Sequence, residues 1–70
     1  MTRIPVSSSN LSSVGYDPSS SVLEIAFNHG GIYQYTGVPQ SVYTGLMQAS
    51  SKGEYHHAHI KNSFPYRKIG

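Results

Sequence analysis

Between Ser21 and Asn28 the side chains alternate. Leu23, Ile25 and Phe27 fall on one face of an extended chain, and Val22, Glu24 and Ala26 on the other. His29-Gly30-Gly31 follows at once and supplies the positive-φ positions of a tight turn. This pattern predicts a strand that folds back onto a partner over Ile32 to Gly37, where Tyr33 and Tyr35 share a face. A third strand is expected over Asn10 to Tyr16, with Leu11 on one face and Val14 and Tyr16 on the other. It is joined to the first by Asp17-Pro18-Ser19-Ser20, in which Asp bonds the backbone ahead of it and Pro presets φ.

After this meander the period changes. Pro39 suits a helix start, because its missing N–H would be unpaired there. Val42, Leu46 and Ala49 then lie at helical spacing, with Met47 beside them, which predicts a helix to about Ser50. Ser51-Lys52-Gly53-Glu54 fits a capping box and opens a second short helix over Lys52 to Lys61, anchored by Ile60. Pro65 keeps Asn62 to Gly70 extended, as a tail or a short C-terminal edge strand. The expected fold class is α+β, a three-stranded antiparallel meander followed by two short helices. Leu23, Ile25, Phe27, Val42, Leu46 and Ile60 are its expected core. Ser-rich Met1 to Ser9 reads as a flexible lead and residues 10–70 as a single domain. The helices should cover one sheet face and leave the other open to solvent or a second subunit.

With 70 residues and no Cys, the chain has room for one domain and no disulfide to brace it. A core of this size rarely supplies more than about 3 to 5 kcal/mol. Self-association is the readiest additional source, so a homo-oligomer is expected. No apolar run approaches the roughly 20 residues that span a bilayer, and Met1 to Pro5 lacks the apolar stretch of a signal peptide. The expectation is a cytoplasmic protein with no membrane partner. A formal charge of +2 permits an anionic partner but not a dedicated duplex-binding surface.

Several residues could carry binding. Tyr33 and Tyr35, two apart on a strand, would present paired rings on which bases can stack; the alternative is packing against a helix or a sister subunit. Lys52-Gly53 at a helix start offers free N–H groups, close approach and an ammonium to a phosphate, or is simply a capped helix. Lys61 and Arg67 belong to an electropositive C-terminal third, which is either a solvated face or part of a phosphate site. His56, His57 and His59 have ligand-like spacing. Without Cys, and with scattered acids, they predict neither a metal nor another cofactor. No acid/base pair, nucleophile elbow or triad is present, so the chain reads as non-enzymatic.

Val14-Gly15-Tyr16-Asp17, Tyr33-Gln34-Tyr35, Val38-Pro39 with Val42-Tyr43, and Ala49-Ser50-Ser51-Lys52-Gly53 leading through His59-Ile60-Lys61 to Tyr66 follow one another in a set order. In that order and spacing, from about Asn10 to Lys68, the chain resembles the KTSC domain family. That domain is appended to the C-terminus of some lysyl-tRNA synthetases and also stands alone in small bacterial and phage proteins. The resemblance implies a compact module and, through the synthetases, RNA as a ligand. His56 and His57 stand where much of the family has Phe and Asn. The expected function is a non-enzymatic module that binds RNA or a nucleotide through Tyr33, Tyr35, Lys52, Gly53, Lys61 and Arg67. The alternatives are an oligomeric phage-type protein that sequesters a small nucleotide signal and a protein-interaction module without nucleotide.

Overall fold

In the computed structural model, which describes residues 1–70, Asp17 closes the first hairpin. Its carboxylate accepts from the Ser19 N–H at 3.0 Å and from the Ser19 and Ser20 hydroxyls at 2.7 and 2.8 Å. These bonds hold its pKa below the ordinary aspartate range. The second hairpin turns at Gly30 and Gly31, both at positive φ. The strands are β1 (Ile4–Pro5), β2 (Leu11–Asp17), β3 (Val22–Phe27), β4 (Ile32–Tyr35) and β5 (Tyr66–Lys68), with α1 (Gln40–Gln48) and α2 (Lys52–His59) between the last two. They form one antiparallel sheet in the order β1-β2-β3-β4-β5.

The fold is therefore the expected α+β arrangement, with the meander widened by a strand at each edge. The tail forms β5 on β4, as the extended reading around Pro65 allows. The lead is corrected by the structure: Ile4 and Pro5 pair with Val14 and Ser13, so the sheet begins inside Met1 to Ser9. Two residues, one of them Pro, carry no readable alternation, and their pairing depends on contacts with distant residues.

A second correction concerns β2. Its register against β3 shifts between Leu11 and Ser13. The β-bulge uses one extra residue, so Leu11 and Val14 point to the same face in spite of their odd separation. Both are fully buried with Leu23, Ile25, Val38, Leu46 and Ile60, while Tyr35 is 4% exposed. Four of the predicted core residues are in this cluster; Phe27 and Val42 pack at its margin, partly exposed. Tyr16 seats α1 on the sheet: its ring stacks on Tyr43 at 4.8 Å and its hydroxyl donates to the Val38 carbonyl at 2.6 Å.

The opposite sheet face is partly covered by the chain's own N-terminus. Cross-strand register aligns Gly15, Glu24, Gln34 and Arg67 in one row. Arg3 lies over Gly15, where a Cβ would come within 2.7 Å of the Thr2 carbonyl oxygen, and its guanidinium forms an ion pair with Glu24. Gln34 donates to the other Glu24 oxygen at 2.9 Å, and Ser13 accepts from Arg3 at 3.0 Å. Glu24 is 5% exposed. The Gln34 bond first, then Arg3, outweigh burial and keep its pKa below the usual carboxylate range. This face is therefore less open than the sequence predicts.

Truncating Leu46 to Ala should cost about 2 to 5 kcal/mol, because it empties a fully buried position. Replacing Arg3 with Ala should cost about 1 to 3 kcal/mol by leaving Glu24 with Gln34 alone. It should also move the acid-unfolding limb to higher pH, since Glu24 would protonate more easily. Urea unfolding of both variants from pH 7 to pH 3 measures the two effects.

Candidate functional site

The second helix is mostly polar and buries none of its own side chains. Its start is fixed by Ser51, whose hydroxyl accepts from the Glu54 N–H at 3.3 Å, which is one half of the expected capping box. Its end is fixed by Ile60, fully buried as the C-cap, whose N–H donates to the His56 carbonyl at 3.0 Å. Between these points α2 stands off the sheet. A cleft of about 390 Å³ lies between it and β3, β4 and β5.

The cleft is aromatic along the sheet. Phe27 meets Tyr33 edge-on at 5.6 Å, and Tyr66 lies 5.8 Å from Tyr33 and 5.6 Å from Tyr35. From α2 comes His56, half-buried, with its ring edge-on to Phe27 at 5.1 Å and to Tyr35 at 5.6 Å. Its Nε2 shares a hydrogen bond of 2.8 Å with the Tyr35 hydroxyl. Asn10, His29, Gly53, His57 and Lys61 complete the lining. No Asp or Glu is among these residues. Burial pushes the Tyr35 hydroxyl up to about 12, helped by the neighbouring Tyr33 and Tyr66, so it stays protonated. Burial first, then the positive charge of Lys61 and proximity to His57, pushes His56 below the ordinary histidine value and keeps its ring neutral at pH 7.

Tyr33, Tyr35, Gly53 and Lys61 come together here, as the sequence reading requires, but in altered roles. Tyr35 is too buried to offer a stacking face; its ring belongs to the core and its hydroxyl bonds His56 at the cleft. Tyr33 is half-buried and lines the cleft beside Tyr66, which is 59% exposed. At Gly53 the Asn10 side chain lies where a Cβ would be, so a larger residue there would displace it.

Lys52 and Arg67 are not brought into the cleft. Lys52 lines a separate recess with Ser7, Ser8, Ser9, Ser50 and Ser51, and its ammonium donates to the Ala49 carbonyl at 3.2 Å. Arg67 pairs with Gln34 on the opposite sheet face, and register places Lys68 across from Tyr33 instead. The lining residues that the sequence reading does not assign to a site are Asn10, Phe27, His29, His56, His57 and Tyr66. Tyr66 had a signal, its alternation with Arg67 after Pro65. Phe27 and His29 had another, the hairpin that sets them beside Tyr33. The three helical histidines have different partners. His59 packs on Tyr55 at 4.5 Å, and no three His, Asp or Glu side chains converge on one point.

A family model described as the KTSC domain matches residues 7–64. A protein from Stutzerimonas stutzeri is 42% identical over 55 residues, covering 79% of this chain and 78% of that protein. A lysine–tRNA ligase from a Nostoc species is 41% identical over 54 residues, covering 77% of this chain but only 10% of the ligase. The crystal structure of a KTSC domain protein from Yersinia pestis superposes with a TM-score of 0.96 at 49% identity, covering 99% of this chain and 97% of that one.

The lowered His56 pKa has a signed consequence for stability. As pH falls through about 6.5, the unfolded chain takes up a proton at this position before the folded chain does. The His56 contribution is therefore complete above about pH 6.5 and is lost below it, down to the folded midpoint. Glu24 adds no loss until the pH falls below its own unfolded value. The urea midpoint should drop between pH 7.5 and pH 5.5, and His56→Gln should flatten that drop.

Proposed function

The chain belongs to the KTSC domain family, and we propose that it is a non-enzymatic module that binds a phosphate-bearing nucleotide unit, free or within RNA. The observation that carries this reading is the cleft itself. The exposed ring of Tyr66 beside half-buried Tyr33, an ammonium at Lys61 and two exposed imidazoles at His29 and His57 surround one space that holds no carboxylate. A base stacks on the tyrosine face while its phosphate lies toward Lys61 and His57, so ring and charge are recognised together. A volume of about 390 Å³ suits a mononucleotide-sized group. The match to part of lysine–tRNA ligases favours RNA as the source of that unit.

Self-association is a second part of the reading. Ile4 and Ile69 are large apolar side chains at the two sheet edges, 52% and 45% exposed. A second copy covering them would add to a small core. Sedimentation at micromolar concentration tests this, and a stable monomer of 7.6 kDa removes it.

Binding is tested by calorimetry with AMP and with a short single-stranded oligoadenylate. Tyr33→Ala should weaken binding by about 1 to 3 kcal/mol, the usual worth of one stacked base. Lys61→Ala should weaken it as well, whereas Lys52→Ala and Arg67→Ala should leave affinity within about twofold, because neither side chain reaches the cleft. RNA contacted along its backbone should show a steep fall in affinity with salt, and a single enclosed nucleotide a shallow one. Equal affinity of the parent and Tyr33→Ala for both probes would remove the reading.

A further inference from the structure

The cleft is short of negative charge. The chain has three acidic residues, and none lines it. Asp17 is held in the first hairpin turn, Glu24 is engaged by Arg3 and Gln34 on the opposite sheet face, and Glu54 is exposed in the first turn of α2. The groups around the half-buried ring of His56 can be named element by element. They are Phe27 on β3, Tyr33 and Tyr35 on β4, Tyr66 on β5, His29 in the hairpin turn, His57 beside it on α2, and Lys61 just past the helix. None of them carries a carboxylate. The ring is bonded to a hydroxyl that stays protonated, so nothing in the protein provides a counter-charge for an imidazolium.

We propose that the cleft takes up a proton together with its anionic ligand, with His56 as the acceptor, so that binding of a phosphate-bearing nucleotide is coupled to pH. The inference rests on the nucleotide reading of the cleft and adds a regulatory property to it. A phosphate seated near Lys61 and His57 supplies the negative charge that the site lacks. It offsets the repulsion from Lys61 and makes the protonated ring the favoured form. Charge balance is simple: His56 gains one proton from solvent, and the phosphate keeps its own charge. The hydrogen bond to Tyr35 survives the change, because the Tyr35 oxygen accepts from a protonated Nε2 as readily as its hydroxyl donates to a bare one. Ligand affinity therefore rises as the pH falls toward the His56 midpoint, with no rearrangement of α2 required.

NMR titration of the His56 ring tests the coupling in the full chain, free and with saturating AMP, ApA or adenosine. ApA carries a single phosphodiester charge throughout pH 5 to 8, so its own ionisation does not intrude. The expected result is a rise of about one pH unit in the His56 midpoint with AMP or ApA, and none with adenosine. ApA should bind the parent about three- to tenfold more tightly at pH 5.5 than at pH 7.5. His56→Gln, which can keep a hydrogen bond to Tyr35, should lose the part of that gain carried by His56, so its ratio of affinities between the two pH values falls below the parent's. If the Tyr33 and Tyr66 resonances report binding while the His56 midpoint stays where it was, the coupling is wrong and the nucleotide reading stands. If no cleft resonance responds to either nucleotide, both fall together.

Discussion

The placement of α2 depends on the bond between Tyr35 and His56. Apart from that pair, the helix is secured by Ile60 at its C-terminal end and by Tyr55 packed against Gly45 of α1. A helix with an apolar stripe would have sunk onto the sheet and filled the space above β4, as α1 does with Leu46. This helix has Lys, Glu and three His instead, and its one side-chain hydrogen bond to the sheet, His56 to Tyr35, meets it at a distance set by the length of two side chains. The cleft is that distance. Tyr35 can take part only because its ring is already fixed in the core, so the bond transmits the rigidity of the sheet to an otherwise loosely held helix.

The outer face of the sheet solves a different problem. A domain of 70 residues cannot cover both faces of a five-stranded sheet with two short helices. Here a row of polar side chains serves in place of a third layer. Arg3 reaches across Gly15 to Glu24, Gln34 completes the carboxylate's hydrogen bonds, and the N-terminal strand is tied to β2 by the same arginine. A buried carboxylate is stabilising only while its partners are in place. This arrangement therefore makes the first five residues part of the fold.

The hairpin elements were legible because their signals are local. Alternation from Val22 to Phe27, the Asp17 turn, the two glycines after His29 and the Ser51 cap each depend on residues that touch their near neighbours, and each appears where the sequence puts it. The bulge at Ser12, the pairing of Ile4 and Pro5, and the burial of Val38 were not legible, because each is decided by a partner eight or more positions away. The site divides in the same way. Tyr33 and Lys61 were found as residue types suited to a nucleotide, but whether a cation on the chain reaches the cleft depends on sheet parity and helix exit. Arg67 and Lys68 are adjacent in sequence and fall on opposite faces.

Parity also explains how a chain with a net charge of only +2 can hold a cleft without a single acid. Glu24 sits between Leu23 and Ile25, so it faces away from the helices, and the bonds from Gln34 and Arg3 keep it there. A shift of one residue in β3 would turn that carboxylate into the layer that carries His56. There it would satisfy the imidazolium from within the protein. The cleft would then have its counter-charge without a ligand, and an anion would be repelled. The same alternation that buries Leu23 and Ile25 thus sets the electrostatic character of the site, and the Arg3 to Gln34 row on the far face stabilises that register from the other side.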